Sequence, residues 1–146
     1  MRIYLDMCCL QRPMDDQTHL RIHIESEAIL GVLAWCEDGG AELLNSVALN
    51  YEVDHNPHPA RKAFVQETLL KSKQTIQASD SVEQRARMYC DKGIKVLDAL
   101  HLACAVEEQA TYFCTCDDRF YRRAKQLDTE QTLVVSPLEL IEVIEP

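Results

Sequence analysis

The sequence predicts an α/β fold, a three-layer α/β/α sandwich in which helices cover both faces of a central, mostly parallel sheet. Two observations predict it. Short runs of strand-forming residues alternate with longer helical stretches along the chain, which is the order that builds a parallel sheet. One of these stretches, VLDALHLACAV at residues 96–106, is apolar nearly all round, as expected of a buried helix.

Turn and cap signals set the order of the elements. The predicted strands are residues 2–5, 41–45, 75–78, 111–115 and 132–135. The predicted helices are residues 18–37, a helix opened by Ser46, 60–71, 79–92, 95–109, 117–127 and a short one from Pro137. Ser46 and Ser79 are suited to cap helix starts, and Gly39 and Gly93 to end helices. The HNPHP segment at residues 55–59 breaks the helix that Ser46 opens.

Composition excludes several classes of protein. Of 146 residues, 47% are hydrophobic and 27% are charged, which excludes collagen-like, low-complexity and disordered chains. No apolar run is long enough to cross a membrane, and the N-terminal run is too short for a secretory signal. We therefore expect a single domain over residues 1–146, without a membrane partner and located in the cytoplasm.

Charge and cysteine content narrow the possible partners. The chain has 15 Lys and Arg against 24 Asp and Glu, a net charge of −9. This argues against a protein held on nucleic acid by a broad basic surface, but not against an enzyme that meets a few phosphates through a bound cation. The seven cysteines include no CxxC pair, which predicts reduced thiols that mostly fill the core.

Four acidic residues from distant segments are predicted to meet at one edge of the sheet. Asp6 directly follows the first strand, and Asp117 follows the strand at residues 111–115. Glu52 and Asp98 lie near the starts of helices that begin at the same carboxyl edge, because right-handed crossovers begin their helices there. Each acid taken alone also has a structural alternative: a turn, a helix cap, a solvated charge or a single buried hydrogen bond.

Converging carboxylates need a compensating cation. Hard divalent ions with oxygen ligands, Mg²⁺ or Mn²⁺, suit such a site best. A metal ion that keeps water molecules can activate one of them for phosphodiester hydrolysis and stabilise the charge that develops on the phosphate. A haloacid-dehalogenase-type phosphatase is disfavoured because Cys8 stands where that class needs its second Asp. A receiver domain is disfavoured because Ser136 and Pro137 stand where it needs a Lys.

The same residues carry a resemblance to the PIN-domain family, which includes the VapC-type toxins. The matching pieces are YLD at residues 4–6, S-x5-E from Ser46 to Glu52, DALHLA at residues 98–103, and T-x-D followed by Phe at Thr115, Asp117 and Phe120. They occur in the family's order and span residues 4–120, which is most of the chain.

The resemblance implies an Mg²⁺- or Mn²⁺-dependent endoribonuclease with this α/β/α fold. Carried over residue by residue, its catalytic and metal-binding acids are Asp6, Glu52, Asp98 and Asp117, with Asp118 as the alternative fourth acid. VapC-type toxins often dimerise and are blocked by a small antitoxin, so the resemblance also implies an RNA substrate, a homodimer and a toxin–antitoxin pair. The alternative is a catalytically silent PIN-like module that binds another protein.

Three further residues are predicted to bind substrate. Arg21 and Glu25 fall on the apolar side of the first long helix, so we expect both to point inward, with Arg21 contacting a phosphate or forming a structural ion pair. His101 either orients Asp98 or contacts substrate, or else is a satisfied core histidine. Arg119 either binds RNA phosphates or lies on a solvated helix face.

Overall fold

The computed structural model describes residues 1–144 and has the predicted architecture, a central parallel sheet flanked by helices. Its strands are β1 (Arg2–Leu5), β2 (Glu42–Leu43), β3 (Asn45–Ser46), β4 (Thr75–Ile76), β5 (Tyr112–Cys114) and β6 (Leu133–Val135). Its helices are α1 (Met7–Gln11), α2 (Leu20–Glu37), α3 (Val47–Asp54), α4 (Pro59–Leu69), α5 (Asp80–Asp91), α6 (Val96–Glu107), α7 (Asp118–Ala124) and α8 (Pro137–Ile144), with a 3-10 turn at Arg12–Met14.

The main sheet has the strand order β2-β1-β5-β6, and every pair in it is parallel. The two central strands are aligned so that Tyr4 pairs with Phe113 and Leu5 with Cys114. These side chains are fully buried, because helices cover both faces of the sheet. Helix α6 packs against α5 and α3, whereas α2 packs against α8, which lies on β5 and β6.

The predicted second strand, residues 41–45, is wrong as a single element. Leu44 donates a backbone hydrogen bond to Ile3 and so completes the pairing of β2 with β1. The chain then leaves the main sheet, and Asn45 and Ser46 pair with β4 in a separate two-stranded parallel sheet. Ser46 ends β3 and caps α3 by accepting from the Leu49 N–H, and its Oγ lies 2.6 Å from the Tyr4 hydroxyl of β1.

The segment after Asp6 is helical, which the sequence did not predict. Asp6 caps the five-residue helix α1, and the 3-10 turn follows it directly. The other elements lie at their predicted positions, with ends that differ by a few residues. Among residues 1–144, no helix is both long enough and apolar enough to cross a membrane.

Candidate functional site

Asp6 lies at the centre of the candidate site, directly after β1. It is buried, and its Oδ1 accepts a hydrogen bond from the Met7 backbone N–H at 2.9 Å. Its Oδ2 accepts from the Thr115 hydroxyl at 2.9 Å and from the Cys8 thiol at 3.5 Å. Burial, followed by the proximity of Cys8 and Asp98, raises the pKa of Asp6 well above its ordinary value. A cation beside such a carboxyl group would stabilise its charged form.

Thr115 connects Asp6 to the second acidic loop. Its hydroxyl, which donates to Asp6, also accepts a hydrogen bond from the Asp117 backbone N–H at 3.2 Å. Asp117 caps α7, since its Oδ1 accepts from the backbone N–H groups of Arg119 and Phe120. Its Oδ2 accepts no hydrogen bond from residues 1–144. Capping and metal binding are therefore compatible at Asp117, because each role uses a different oxygen.

A hydrogen-bonded chain through the core holds Glu52. His101 Nε2 lies 2.5 Å from Glu52 Oε1, and its Nδ1 lies 2.6 Å from the Tyr4 hydroxyl, which lies 2.6 Å from Ser46 Oγ. Burial alone would lower the pKa of His101, but the hydrogen bond to Glu52 and the surrounding carboxylates raise it above the ordinary value. Because an ionised carboxylate can only accept, Nε2 carries a proton and donates it to Glu52.

Asp98 is the acid without a protein partner. It lies half-buried in the first turn of α6, and within the described chain its carboxylate accepts no hydrogen bond and forms no ion pair. Burial raises the pKa of Asp98, and the proximity of Asp117 and Glu52 raises it further, against the opposing effect of His101. A half-buried carboxylate among other carboxylates, with no donor of its own, is expected to have a cation as its partner.

Two cavities lie at opposite edges of the sheet. A shallow one of about 30 Å³ at the carboxyl edge is lined by Asp98 and Asp117 together with Lys95 and Arg119. A wider groove of about 690 Å³ lies at the amino edge, where β1 and β2 begin, and none of the predicted site residues lines it. The candidate site is therefore identified by its acidic residues and not by the size of its cavity.

The residues present fit a hard divalent cation. One carboxylate oxygen each of Asp6 and Glu52 and one ring nitrogen of His101 lie within 4.8 Å of one another. Both ring nitrogens of His101 already have protein partners, so the two carboxylates are the ligands of this group. Asp98 lies close enough to Asp6 to raise the pKa of Asp6, and Asp117 lies close enough to Asp98 to raise the pKa of Asp98. Carboxylate oxygens dominate the donor set, which suits Mg²⁺ or Mn²⁺. We call Asp6, Glu52, Asp98 and Asp117 the carboxylate cluster.

The geometry favours Asp117 over Asp118 as the fourth acid. Arg21 donates to both carboxylate oxygens of Asp118, at 2.8 and 2.7 Å, and both side chains are exposed. This pairing lowers the pKa of Asp118 and neutralises its charge outside the carboxylate cluster. Asp117 instead lines the cavity that Asp98 also lines.

The structure corrects the predicted inward position of Arg21. Glu25 points inward as predicted, and the predicted ion pair is present, with Arg21 Nε 3.4 Å from Glu25 Oε1. A closer partner is Arg12, whose Nη2 lies 2.8 Å from the same oxygen. Arg21 is exposed and is held by Asp118, because its position on α2 faces the start of α7 rather than the core. His101 is 0% exposed, and its two ring nitrogens contact Glu52 and Tyr4, as expected of a satisfied core histidine.

A group of cysteines beside Asp6 was not predicted. The Sγ atoms of Cys8, Cys9 and Cys116 lie within 4.8 Å of one another; we call these residues the thiol cluster. Cys8 and Cys9 lie in the first turn of α1, and Cys116 follows β5. The sequence shows no metal-binding spacing for them, because the two segments lie more than 100 residues apart and meet only through the pairing of β1 with β5.

Comparisons with known proteins agree with this geometry. The sequence matches the profile of the PIN domain over residues 3–126. The chain belongs to the PIN-domain family. PIN domains are generally nucleases that use divalent metal ions. The resemblance stated from the sequence motifs is therefore confirmed for the family, and the carboxylate cluster lies within the matched region.

Two solved structures share the fold. VapBC2 from Rickettsia felis, bound to a DNA fragment from its promoter, contains a chain that matches with a TM-score of 0.61 and 14% identity, over 93% of this chain and 98% of that one. FitAB bound to an IR36 DNA fragment contains a chain that matches with a TM-score of 0.53 and 16% identity, over 92% and 94% of the two chains. No curated protein matches this PIN-domain sequence.

Proposed function

We propose that this PIN domain is a divalent-metal-dependent endoribonuclease whose carboxylate cluster binds Mg²⁺ or Mn²⁺. The observation that carries the proposal is Asp98: its half-buried carboxylate has a raised pKa, other carboxylates beside it and no donor within residues 1–144. A structural role would supply that carboxylate with a hydrogen-bond donor, as Asp117 has for its capping oxygen. A metal ion can be that missing partner, because the lone pairs of the Asp98 carboxylate are not used by any donor of the described chain.

The residues around the proposed metal site have different roles. When bound, the metal ion supplies a water molecule of lowered pKa and stabilises negative charge on the phosphate. The carboxylate cluster offers the ligand oxygens, and Thr115 fixes the spacing of Asp6 and Asp117. His101 is a positioning residue, because it holds the Glu52 carboxylate from the interior.

Substrate binding is assigned to the rim of the same cavity. Arg119 and Lys95 line it beside Asp98, so their positive charges can meet an RNA phosphate despite the net charge of −9. Arg21 would have to release Asp118 before it could bind a phosphate, since the two residues already form a two-point ion pair. We therefore propose Arg119, rather than Arg21, as the main phosphate contact.

We further propose that the chain is the toxin of a toxin–antitoxin pair. The support is the shared fold with chains of VapBC2 and FitAB, both of which were solved as complexes on DNA. A small antitoxin is then the expected protein partner, a homodimer the expected assembly and the cytoplasm the expected location. The second candidate function is a PIN-like module that binds a protein without cleaving RNA.

Metal-dependent cleavage separates these two functions. The chain, freed of its antitoxin and of metal, is incubated with a mixed pool of short RNAs and Mg²⁺ or Mn²⁺, with EDTA as the control. We expect cleavage that needs the metal and is abolished by Asp98→Asn, which keeps the shape of the side chain and removes its charge. Asp91→Asn is the matched control, because Asp91 is exposed at the end of α5.

Each outcome decides between the functions. Cleavage by wild type and by Asp91→Asn, together with its loss in a folded Asp98→Asn variant, supports the nuclease. Equal cleavage by Asp98→Asn and wild type overturns the assigned site. No cleavage by a folded wild-type chain that binds Mn²⁺ overturns the ribonuclease proposal and favours the protein-binding module.

A further inference from the structure

The thiol cluster has the geometry of a second metal site, chemically distinct from the carboxylate cluster. Cys9 Sγ lies 3.3 Å from Cys116 Sγ, and the Cys116 backbone N–H donates to Cys8 Sγ at 3.3 Å. All three Sγ atoms lie within 4.8 Å of one another. With bonds of about 2.3 Å, thiolates on a tetrahedral zinc ion lie about 3.8 Å apart, so the three sulfurs need only small shifts to share one ion.

The backbone holds the three sulfurs in place before any ion binds. Cys9 is fully buried and also donates to the Cys114 carbonyl at 3.4 Å, while Cys116 is 7% exposed. Cys8 is only half-buried, so it forms the open side of the cluster through which an ion can enter. A site whose donors are already fixed loses little conformational freedom on binding.

The donor type sets the class of ion. Thiolates are soft ligands that select Zn²⁺ and Cu⁺, whereas the oxygens of the carboxylate cluster select Mg²⁺ and Mn²⁺. A fourth donor is close at hand, because Cys114 Sγ lies 3.8 Å from Cys9 Sγ and Asp6 Oδ2 lies 3.5 Å from Cys8 Sγ. We propose that Cys8, Cys9 and Cys116 bind one thiophilic cation, Zn²⁺ or Cu⁺, at the carboxyl edge of the sheet.

The binding step is a ligand exchange and involves no oxidation. Each thiol that binds releases its proton to water and forms one sulfur–metal bond, and the ion gives up water molecules in return. The proposal concerns ion binding alone and does not depend on ribonuclease activity. It holds for the PIN domain whether or not the carboxylate cluster cleaves RNA.

The test uses Cd²⁺ as a spectroscopic probe on the full chain, purified with EDTA and a non-thiol reductant and then freed of both. We expect one equivalent of Cd²⁺ to produce thiolate-to-metal charge-transfer absorption and to raise the melting temperature. Native mass spectrometry with Zn²⁺ and, under anaerobic conditions, with Cu⁺ then shows which of the two ions is retained at a stoichiometry of one. Excess Mg²⁺ should displace neither ion.

Cysteine variants locate the site. Cys8→Ser and Cys116→Ser should weaken Cd²⁺ binding by more than about 100-fold, whereas Cys36→Ser, a half-buried thiol at the amino edge, should leave it unchanged. Cys8 is half-exposed, so its variant is expected to fold, and circular dichroism checks this. Asp98→Asn should retain Cd²⁺ binding.

Three results would overturn the proposal. The first is a reduced, folded wild-type chain that shows no charge-transfer band at one equivalent of Cd²⁺. The second is a band of equal strength in wild type and in folded Cys8→Ser. The third is loss of the band in a folded Asp98→Asn variant, which would show that the cysteines do not form a site separate from the carboxylate cluster.

Discussion

The carboxylate cluster and the thiol cluster lie side by side and offer ligands of opposite chemistry, and they meet where the Cys8 thiol donates to Asp6. The carboxylate cluster draws its four acids from four segments, and the thiol cluster draws its sulfurs from two. Both depend on the loops that follow β1 and β5, and the Thr115 hydroxyl lies 2.9 Å from Asp6 Oδ2 and 3.5 Å from Cys8 Sγ. The comparison shows that the carboxyl ends of parallel strands can bring together either oxygen or sulfur ligands. The residue type then decides whether the site suits a hard or a soft metal ion.

The largest expected effect is on RNA cleavage, and it distinguishes Asp117 from its neighbour Asp118. Asp117→Asn should lower metal-dependent cleavage by more than about 100-fold, because it removes a proposed ligand charge. Asp118→Asn should cleave as wild type does, since its partner is Arg21 on the exposed side. Cleavage of a labelled RNA at saturating Mg²⁺ measures both. Equal loss in the two variants would contradict the assignment of Asp117 to the carboxylate cluster.

The next effect tests how the interior holds the carboxylate cluster. His101→Leu should weaken Mn²⁺ binding by about 10–100-fold, because Glu52 loses the group that positions it. It should also lower the free energy of unfolding by about 1–3 kcal/mol, since the buried Tyr4 hydroxyl loses a partner. Titration followed by electron paramagnetic resonance gives the Mn²⁺ affinity, and denaturant unfolding gives the stability.

The control for this variant is His23→Leu, which changes an exposed histidine of α2. It should leave both quantities unchanged. A His101→Leu variant that is less stable but binds Mn²⁺ normally would assign His101 to the core alone. The thiol cluster should keep its Cd²⁺ affinity in both variants, because neither histidine contacts a cysteine of that cluster.

Much of the carboxylate cluster could be predicted from the sequence, because each acid is tied to the end of a strand or the start of a helix. Asp6 and Asp117 follow strands whose alternation with helices is plain, and Asp98 interrupts an apolar helix. Topology then brings them together without any knowledge of side-chain contacts.

The features that the sequence did not predict depend on tertiary contacts, which local sequence patterns do not indicate. Helix α1 has five residues, which is too short to show a helical hydrophobic period. The positions of Cys8 and Cys9 on this helix could therefore not be predicted from the sequence. The break at Leu44 depends on which neighbouring strand each residue pairs with. The predicted position of Arg21 was wrong because α2 carries apolar residues on more than one side. A helical wheel of α2 therefore does not define a single buried face.

A smaller effect concerns pH and the protons of the carboxylate cluster. The pKa values of Asp6 and Asp98 are raised chiefly by burial, so both bind protons more tightly in the folded chain than an unfolded aspartate of pKa about 3.9 does. In EDTA, stability should therefore increase as the pH falls from 7 toward about 4. Mg²⁺ at pH 7 should restore the stability that the ionised cluster lacks.

Thermal unfolding in EDTA across this pH range measures the effect. Asp98→Asn should show a higher melting temperature than wild type at pH 7 and a shallower pH dependence, because one repelling charge is gone. A wild-type melting temperature that falls steadily from pH 7 to pH 5 in EDTA would contradict the account. So would an identical pH profile for Asp98→Asn.

The smallest expected effect is at the rim of the cavity. Arg119→Ala should weaken RNA binding a few-fold and reduce the slope of log affinity against log salt by about 0.7, the value for one contact to a single-stranded phosphate. Arg87→Ala is the matched control, because Arg87 is exposed on α5 outside this cavity. Binding isotherms at several salt concentrations measure both. An unchanged slope for Arg119→Ala would remove Arg119 from the substrate contacts.

The central claim is that the carboxylate cluster holds a hard divalent cation, and anomalous diffraction from crystals soaked in Mn²⁺ tests it most directly. The account predicts an anomalous peak between Asp6 and Asp98, within bonding distance of their carboxylate oxygens, and its disappearance in crystals of Asp98→Asn. Well-ordered wild-type crystals with this edge of the sheet open to solvent and no anomalous peak there would contradict it.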